Sequence, residues 1–431
     1  MNSLITRALL LNIFMYCCIV SLSAQDMNRV RKNIAKLCSK KMHGRGYTYG
    51  GDRKAADFIQ KQFEANGLKP FGDTYFQSFT MPVNAFPEKA KLKVGDHSLK
   101  LGEDFIVHPA SASANVKGTL VYIPDSVFEN HEKLVAYFSA KDIQGKVLVY
   151  DSKFERDAVM WPRVVPEKLK KAAGVILLVD KLTFGVSRKQ GDVSKLIVRK
   201  ATLEKYNAEE IEIHVRAEWQ PAYQTQNVIG YIEGTKQATQ YVVFSAHYDH
   251  LGSIGKQVYF PGGNDNATGV AMLLELSRWY KVNPPEHSVV FMGFAAEEAG
   301  LVGSRYYVEN PLFDLKDIRF LINLDLFASG EEGMMAVNGA VFEKEFNLLT
   351  DINSEKQYLP VIQKRGKAAN SDHYFFTEAG VPSFFFYLMG KSWQHYHDIY
   401  DTGKVPLSRF QGAFQLIRDF SDSLDIEKGM P

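Results

Sequence analysis

From Asn227 onward the chain alternates short apolar runs with stretches of helical period. Tyr241–His247, Ser288–Ala296, Ile318–Asp325 and Ser383–Tyr387 read as strands, and Gly269–Tyr280 and Leu407–Leu424 as helices. The strand runs are short, β-branched and aromatic, as buried strands require. Strand–helix alternation of this kind predicts an α/β fold in which helices cover a mainly parallel central sheet. In such sheets ligands and catalytic groups gather where the strands end. The strand ends are therefore the places to look for chemistry.

Several of those ends carry metal-type side chains. Phe244-Ser-Ala-His247-Tyr-Asp249-His250 closes one strand, and period-2 alternation points His247 and Asp249 the same way. That suits an imidazole on a cation with a carboxylate holding its other ring nitrogen. Gly262-Gly-Asn-Asp265 leads into a helix start, and its glycines allow close backbone approach. Glu297 and Glu298 stand side by side after Ala296, and Asp325 ends Leu321-Ile-Asn-Leu-Asp. Further on, His395-Tyr-His397 sits on a loop before the last helix. Adjacent buried carboxylates repel, unless a divalent cation supplies the dominant local charge. Of the Glu297–Glu298 pair, one can then ligate while the other takes a proton from the attacking water. Imidazole and carboxylate ligands without thiolates fit zinc, and also manganese or cobalt.

The remaining segments frame this half. At 431 residues two domains are expected. Arg7, the apolar run Ala8–Val20 and Ser-Leu-Ser-Ala24 follow the order of a secretory signal peptide cleaved after residue 24, which predicts export to the periplasm or beyond the cell and no membrane span thereafter. The mature chain would keep Cys38 alone and hence no internal disulfide. Asn28 to Asn66 has helical spacing, with Gly67 as its stop. Residues 105–216 change texture, with runs such as Gly118–Ile123 and Gly145–Tyr150 between charged turns, and read as an inserted β-rich module. The α/β parts are then 25–104 and 217–431. Lys and Arg total 51 against 49 Asp and Glu, so no polyanionic partner such as nucleic acid is implied. Asn266-Ala-Thr268 is formally a glycosylation acceptor, but a glycan there would block the strand ends.

Taken together, His-Tyr-Asp-His-Leu-Gly at 247–252, Asn-Asp-Asn-Ala-Thr-Gly at 264–269, Ala-Glu-Glu-Ala-Gly-Leu-Val-Gly-Ser at 296–304, Asn-Leu-Asp at 323–325, Ser-Asp-His at 371–373 and Tyr-His with Asp-Thr at 396–402 resemble the co-catalytic zinc peptidases. That family includes bacterial secreted leucyl aminopeptidases, aminopeptidase Y and glutamate carboxypeptidase II. The resemblance implies the zinc-peptidase (phosphorylase/hydrolase-like) fold, two Zn²⁺ per chain and peptide substrates cleaved at the N-terminus. It implies that His247 and Asp325 hold one zinc, that Glu298 and His397 hold the other, and that Asp265 bridges them. It makes Glu297 the general base, with Asp249 orienting His247, and it implies a cis peptide between Asp265 and Asn266. The inserted segment is similar to a protease-associated (PA) domain, through Asp142–Val149 and Ala172–Leu178. Some relatives carry an oxyanion-holding tyrosine just before Ser-Asp-His, where this chain has Gly-Lys-Ala-Ala-Asn at 366–370. That role is left open.

Two other enzyme readings share the scaffold: a glutaminyl cyclase with a single zinc, and a glutamate-type carboxypeptidase. A non-catalytic receptor on the same fold should have lost ligand residues, and none is lost here. The preferred terminal residue and the oligomeric state are not encoded in these motifs.

Overall fold

The computed structural model describes residues 25–206, 209–236 and 240–424. The signal-like segment 1–24 lies outside the described residues. Among the described residues no helix is long and apolar enough to cross a membrane.

Eight strands build the main sheet: β1 (Phe76–Ala85), β2 (Glu218–Ile232), β3 (Tyr241–His247), β4 (Ser288–Phe294), β5 (Ile318–Leu324), β6 (Met334–Val337), β7 (Ile362–Arg365) and β8 (Ser383–Leu388). Their spatial order is β1-β2-β4-β3-β5-β8-β6-β7. The expectation of a mainly parallel sheet holds for its heart, where β4, β3, β5 and β8 run parallel. At the margins β1 pairs β2, β2 pairs β4 and β6 pairs β8 antiparallel, while β6 and β7 again run parallel.

Burial follows strand periodicity. Val242, Phe244, Val289, Phe291, Phe320 and Ile322 face one core, shared with the helices Met27–Leu37, Gly51–Ala65, Thr268–Val282 and Phe410–Asp422. Val243, Val290, Met292 and Leu321 face a second core, with Tyr307 and Phe376 of the helices Val302–Glu309 and His373–Glu378. A sheet covered on both faces needs apolar side chains at consecutive positions, which is why these strands read as continuous apolar runs. The predicted helical stretch from Asn28 to Asn66 is in fact two helices. Between them the backbone turns left-handed at His43, Gly44, Arg45 and Tyr49, and the break delivers Arg45 and Tyr47 beneath the strand ends.

A second eight-stranded sheet, also mixed, lies within Lys91–Val215. It begins with Lys91–Val94, upstream of the boundary expected at 105, and it carries the helices His131–Ala140, Val164–Leu169 and Lys200–Tyr206. The inserted module is thus α/β rather than purely β-rich. Its strands Ala114–Tyr122, Val147–Asp151, Gly174–Val179 and Lys195–Arg199 are parallel neighbours around a separate core. Chain leaves the main sheet at the end of β1 and returns at the start of β2, and Ala85 and Glu218 at those points are cross-strand partners.

Candidate metal centre

Parallel registration puts the carboxyl ends of β3, β4 and β5 on one edge. His247 pairs Phe294, three residues before Glu297, and Asp325 follows the last residue of β5. Residues 263–267 form a tight turn ahead of the helix Thr268–Val282 and bring Asp265 to the same edge. Glycine is needed at position 262: its φ is +60°, and a Cβ would lie 2.2 Å from the Asp265 carbonyl oxygen. At Gly263 a Cβ would lie 2.0 Å from the Thr402 carbonyl. The Asp265–Asn266 peptide is cis, as the resemblance implies.

The five expected ligands converge. Asp265 Oδ1 lies 3.3 Å from His247 Nε2, and its Oδ2 lies 3.1 Å from His397 Nε2. Asp325 Oδ1 is 3.4 Å from His247 Nε2, and Glu298 Oε2 is 3.2 Å from His397 Nε2. Two donors each about 2.0–2.1 Å from a tetrahedral zinc stand about 3.3 Å apart. The observed N···O separations match that edge on both sides of Asp265. Asp325 Oδ1 and His397 Nε2 are also buried without a hydrogen bond, a state that polar atoms seldom keep unless an ion completes them. The donors are oxygen and imidazole nitrogen, which suits zinc. Two triads could each hold an ion: His247, Glu297 and Asp325, and His250, Asp265 and Glu298, each with its donor atoms within 4.8 Å of one another.

His250, beside Asp249 just past the end of the same strand, adds a further imidazole to the site. Its Nδ1 lies 2.7 Å from Glu298 Oε1 and 4.0 Å from Asp265 Oδ1. It therefore orients Glu298 from the oxygen that His397 does not face. Asp249 was expected to hold His247 through its carboxylate. The nearer oxygen to His247 Nδ1 is instead the Asp249 main-chain carbonyl at 3.2 Å, with Oδ1 at 3.8 Å. The carboxylate accepts from Tyr47 Oη at 2.8 Å and from the backbone N–H of Glu297 at 3.1 Å and Glu298 at 3.3 Å. Asp249 thus fixes the turn that presents both glutamates.

Other supports come from distant segments. Arg45 is fully buried; its guanidinium donates to the carbonyls of Tyr248, Pro261 and Gly262 at 2.8, 2.6 and 2.8 Å. Asp401 accepts from the N–H of Asn264 at 2.8 Å and of Asp265 at 3.0 Å, leaving the Asp265 carboxylate free to face the two imidazoles. A relay from Ser245 to Asn323 to Ser371 ends on Asp325 Oδ2 at 3.0 Å. Asn266, the formal glycan acceptor, is buried, with its side chain bonded to Leu324, Leu326 and Gly269. Ala296, Leu326 and His397 all have positive φ, at 59°, 63° and 60°. Left-handed non-glycine backbone persists where surrounding contacts over-determine it.

Electrostatics follow from the crowding. Burial, then Glu298, Asp372 and Asp325, hold the Glu297 pKa well above the usual carboxylate range, with His247 opposing. His397 is pushed up to about 11: burial disfavours its charge, but Glu298 and Asp265 outweigh it.

Residues 227–420 match peptidase family M28. The matched segment takes in all five expected ligand residues, from His247 to His397. The chain is 29% identical over 164 residues to aminopeptidase YwaD of Bacillus subtilis, covering 37% of this chain and 34% of YwaD. It is 31% identical over 182 residues to the probable lipoprotein aminopeptidase LpqL of Mycobacterium tuberculosis, covering 38% of this chain and 34% of LpqL. The matches thus span about a third of these relatives. In fold it is similar to BSAP, a zinc aminopeptidase from Bacillus subtilis, with a TM-score of 0.70 at 20% identity over 95% of this chain and 97% of that one. A peptidase M28 precursor from Shewanella amazonensis gives 0.66 at 17% identity, over 95% and 99%. The M28 match agrees with the family drawn from the sequence motifs.

Proposed function

We propose that this chain is an exported two-zinc metallo-exopeptidase of the M28 type, an aminopeptidase that removes N-terminal residues from peptides. The observation that carries this reading is Asp265, whose two carboxylate oxygens face two different imidazoles. The relatives named as aminopeptidases supply the substrate class. His247 and Asp325 would hold one ion, Glu298 and His397 the other, with Asp265 between them. When bound, the zinc ions supply Lewis acidity to the scissile carbonyl and lower the pKa of the attacking water.

This chain's residues do the rest. Asp249 and Tyr47 hold the turn that aims Glu297 beside His247 and Asp325. Glu297 takes the water's proton and passes it to the leaving amine. Tyr396 is the group we assign to the developing oxyanion, the role that residues 366–370 leave unfilled. Its ring stacks on His397 with centroids 3.8 Å apart and planes at 16°. A phenol with its ordinary pKa of about 10 is protonated at neutral pH, so the hydroxyl is a donor. Tyr396→Phe should lower kcat by about 10²–10³-fold, as loss of one oxyanion donor does elsewhere, with KM little changed. A kcat near wild type would remove Tyr396 from the reaction.

The test of the whole reading is metal content together with substrate class. We expect two zinc equivalents per chain and release of the first residue from unblocked peptides, with N-acetylated peptides resistant. Pyroglutamate formed from N-terminal glutamine at one zinc equivalent would favour the cyclase instead. Release of C-terminal glutamate would favour the carboxypeptidase. We assign the inserted module to the PA type and export to the segment 1–24.

A further inference from the structure

The two halves of the metal centre are secured by different parts of the molecule. His247 ends a central strand, and Asp325 is held through Ser371, Asn323 and Ser245, all within the main sheet. His397 sits on a loop with left-handed backbone, and much of its support comes from the inserted module. Lys181 Nζ donates to the Tyr396 carbonyl at 2.9 Å and lies 3.6 Å from Asp398 Oδ2. The Phe184 N–H donates to the carbonyl of His397 itself at 3.0 Å. Ile399 packs against the module's core, beside Gly102. The same strap touches the bridging ligand's loop: Phe184 stacks on Phe260, centroids 4.6 Å and planes 14° apart, five residues before Asp265.

We propose that the segment Lys181–Phe184 of the inserted module braces the 396–398 loop and thereby sets the affinity of one cation position, that of Glu298 and His397, while leaving the His247–Asp325 position alone. Lys181 is the positioning residue: one ammonium ties the carbonyl before His397 to the carboxylate after it. The N–H of Phe184 fixes the peptide between them. Because His397 holds an αL conformation that β-carbon sterics disfavour, the loop needs this external hold to keep the imidazole aimed. The module would then tune the metal centre.

The inference rests on the two-cation reading, and the experiment separates the two. The full chain is stripped with a chelator and titrated with Zn²⁺ by calorimetry. Wild type should take two equivalents. In Lys181→Met one equivalent should weaken by about 10–100-fold, the usual effect of losing a partner that orients a ligand, while the other keeps its wild-type affinity. Lys181→Arg should restore it, and Lys189→Met, beyond the bracing segment in the same module, should behave as wild type. In a His397→Ala background Lys181→Met should have no further effect on the remaining equivalent. Two unchanged equivalents in Lys181→Met, or two weakened alike, would overturn the brace. A wild type that takes one equivalent would overturn the two-cation reading and the brace with it.

Discussion

Glu297→Gln should slow turnover by about 10²–10⁴-fold, the contribution of a positioned acid–base group, with zinc content unchanged. The amide keeps the shape of the side chain and removes its ability to accept a proton. Glu298→Ala should separate from it sharply. Glu298 faces His397 and is gripped by His250, so its loss should cost a metal equivalent before it costs anything else. Turnover and bound zinc, measured on both variants at saturating metal, distinguish the roles. An emptied site in Glu297→Gln with turnover preserved at high zinc would exchange them.

Removing both cations should abolish activity and also lower stability. An ion present at a thousand times its Kd stabilises the native state by about 4 kcal/mol per site. Here the stripped site leaves Asp265, Glu297, Glu298 and Asp325 crowded together on one sheet edge, with the imidazoles of His247, His250 and His397 left to offset four carboxylates. The thermal midpoint should therefore fall on chelation and recover with added Zn²⁺ in a concentration-dependent way. A midpoint indifferent to chelator, with activity lost, would mean that the ions bind weakly and contribute to catalysis alone.

Much of this site was legible because its ligands lie at predictable places. His247, Asp325 and Glu297–Glu298 follow strands whose apolar runs announce themselves, and Asp265 lies between glycines ahead of a helix. The supports were not legible. Arg45 reads as one more arginine in a helical stretch, and its role appears only when it meets Tyr248, distant by 203 positions. Tyr47 is likewise an ordinary residue type whose meaning comes from long-range contact, and Ser371 and Asp401 stand in the quoted motifs while what they hold appears only in the fold. Periodicity also carries no mark of a left-handed turn at non-glycine residues, so the break at His43–Arg45 was read as continuous helix. The module's first strand, Lys91–Val94, is short and half charged, with an exposed partner at His97–Ser98. Nothing in it distinguishes a strand from a surface turn, and the boundary was set too late.

The meeting of Ala85 with Glu218 across adjacent strands has a consequence for how the chain assembles. To the main sheet, residues 86–217 are a single hairpin connection, however long. Closing a longer loop adds little cost, about 0.6 kcal/mol for each doubling of its length, so β1 and β2 can find each other across the insert. An insert that folds first brings its own two ends together and shortens that search further. The same geometry makes the insert a cassette. It could be excised or exchanged at one mouth, with a short turn joining β1 to β2 and every strand of the main sheet left in register.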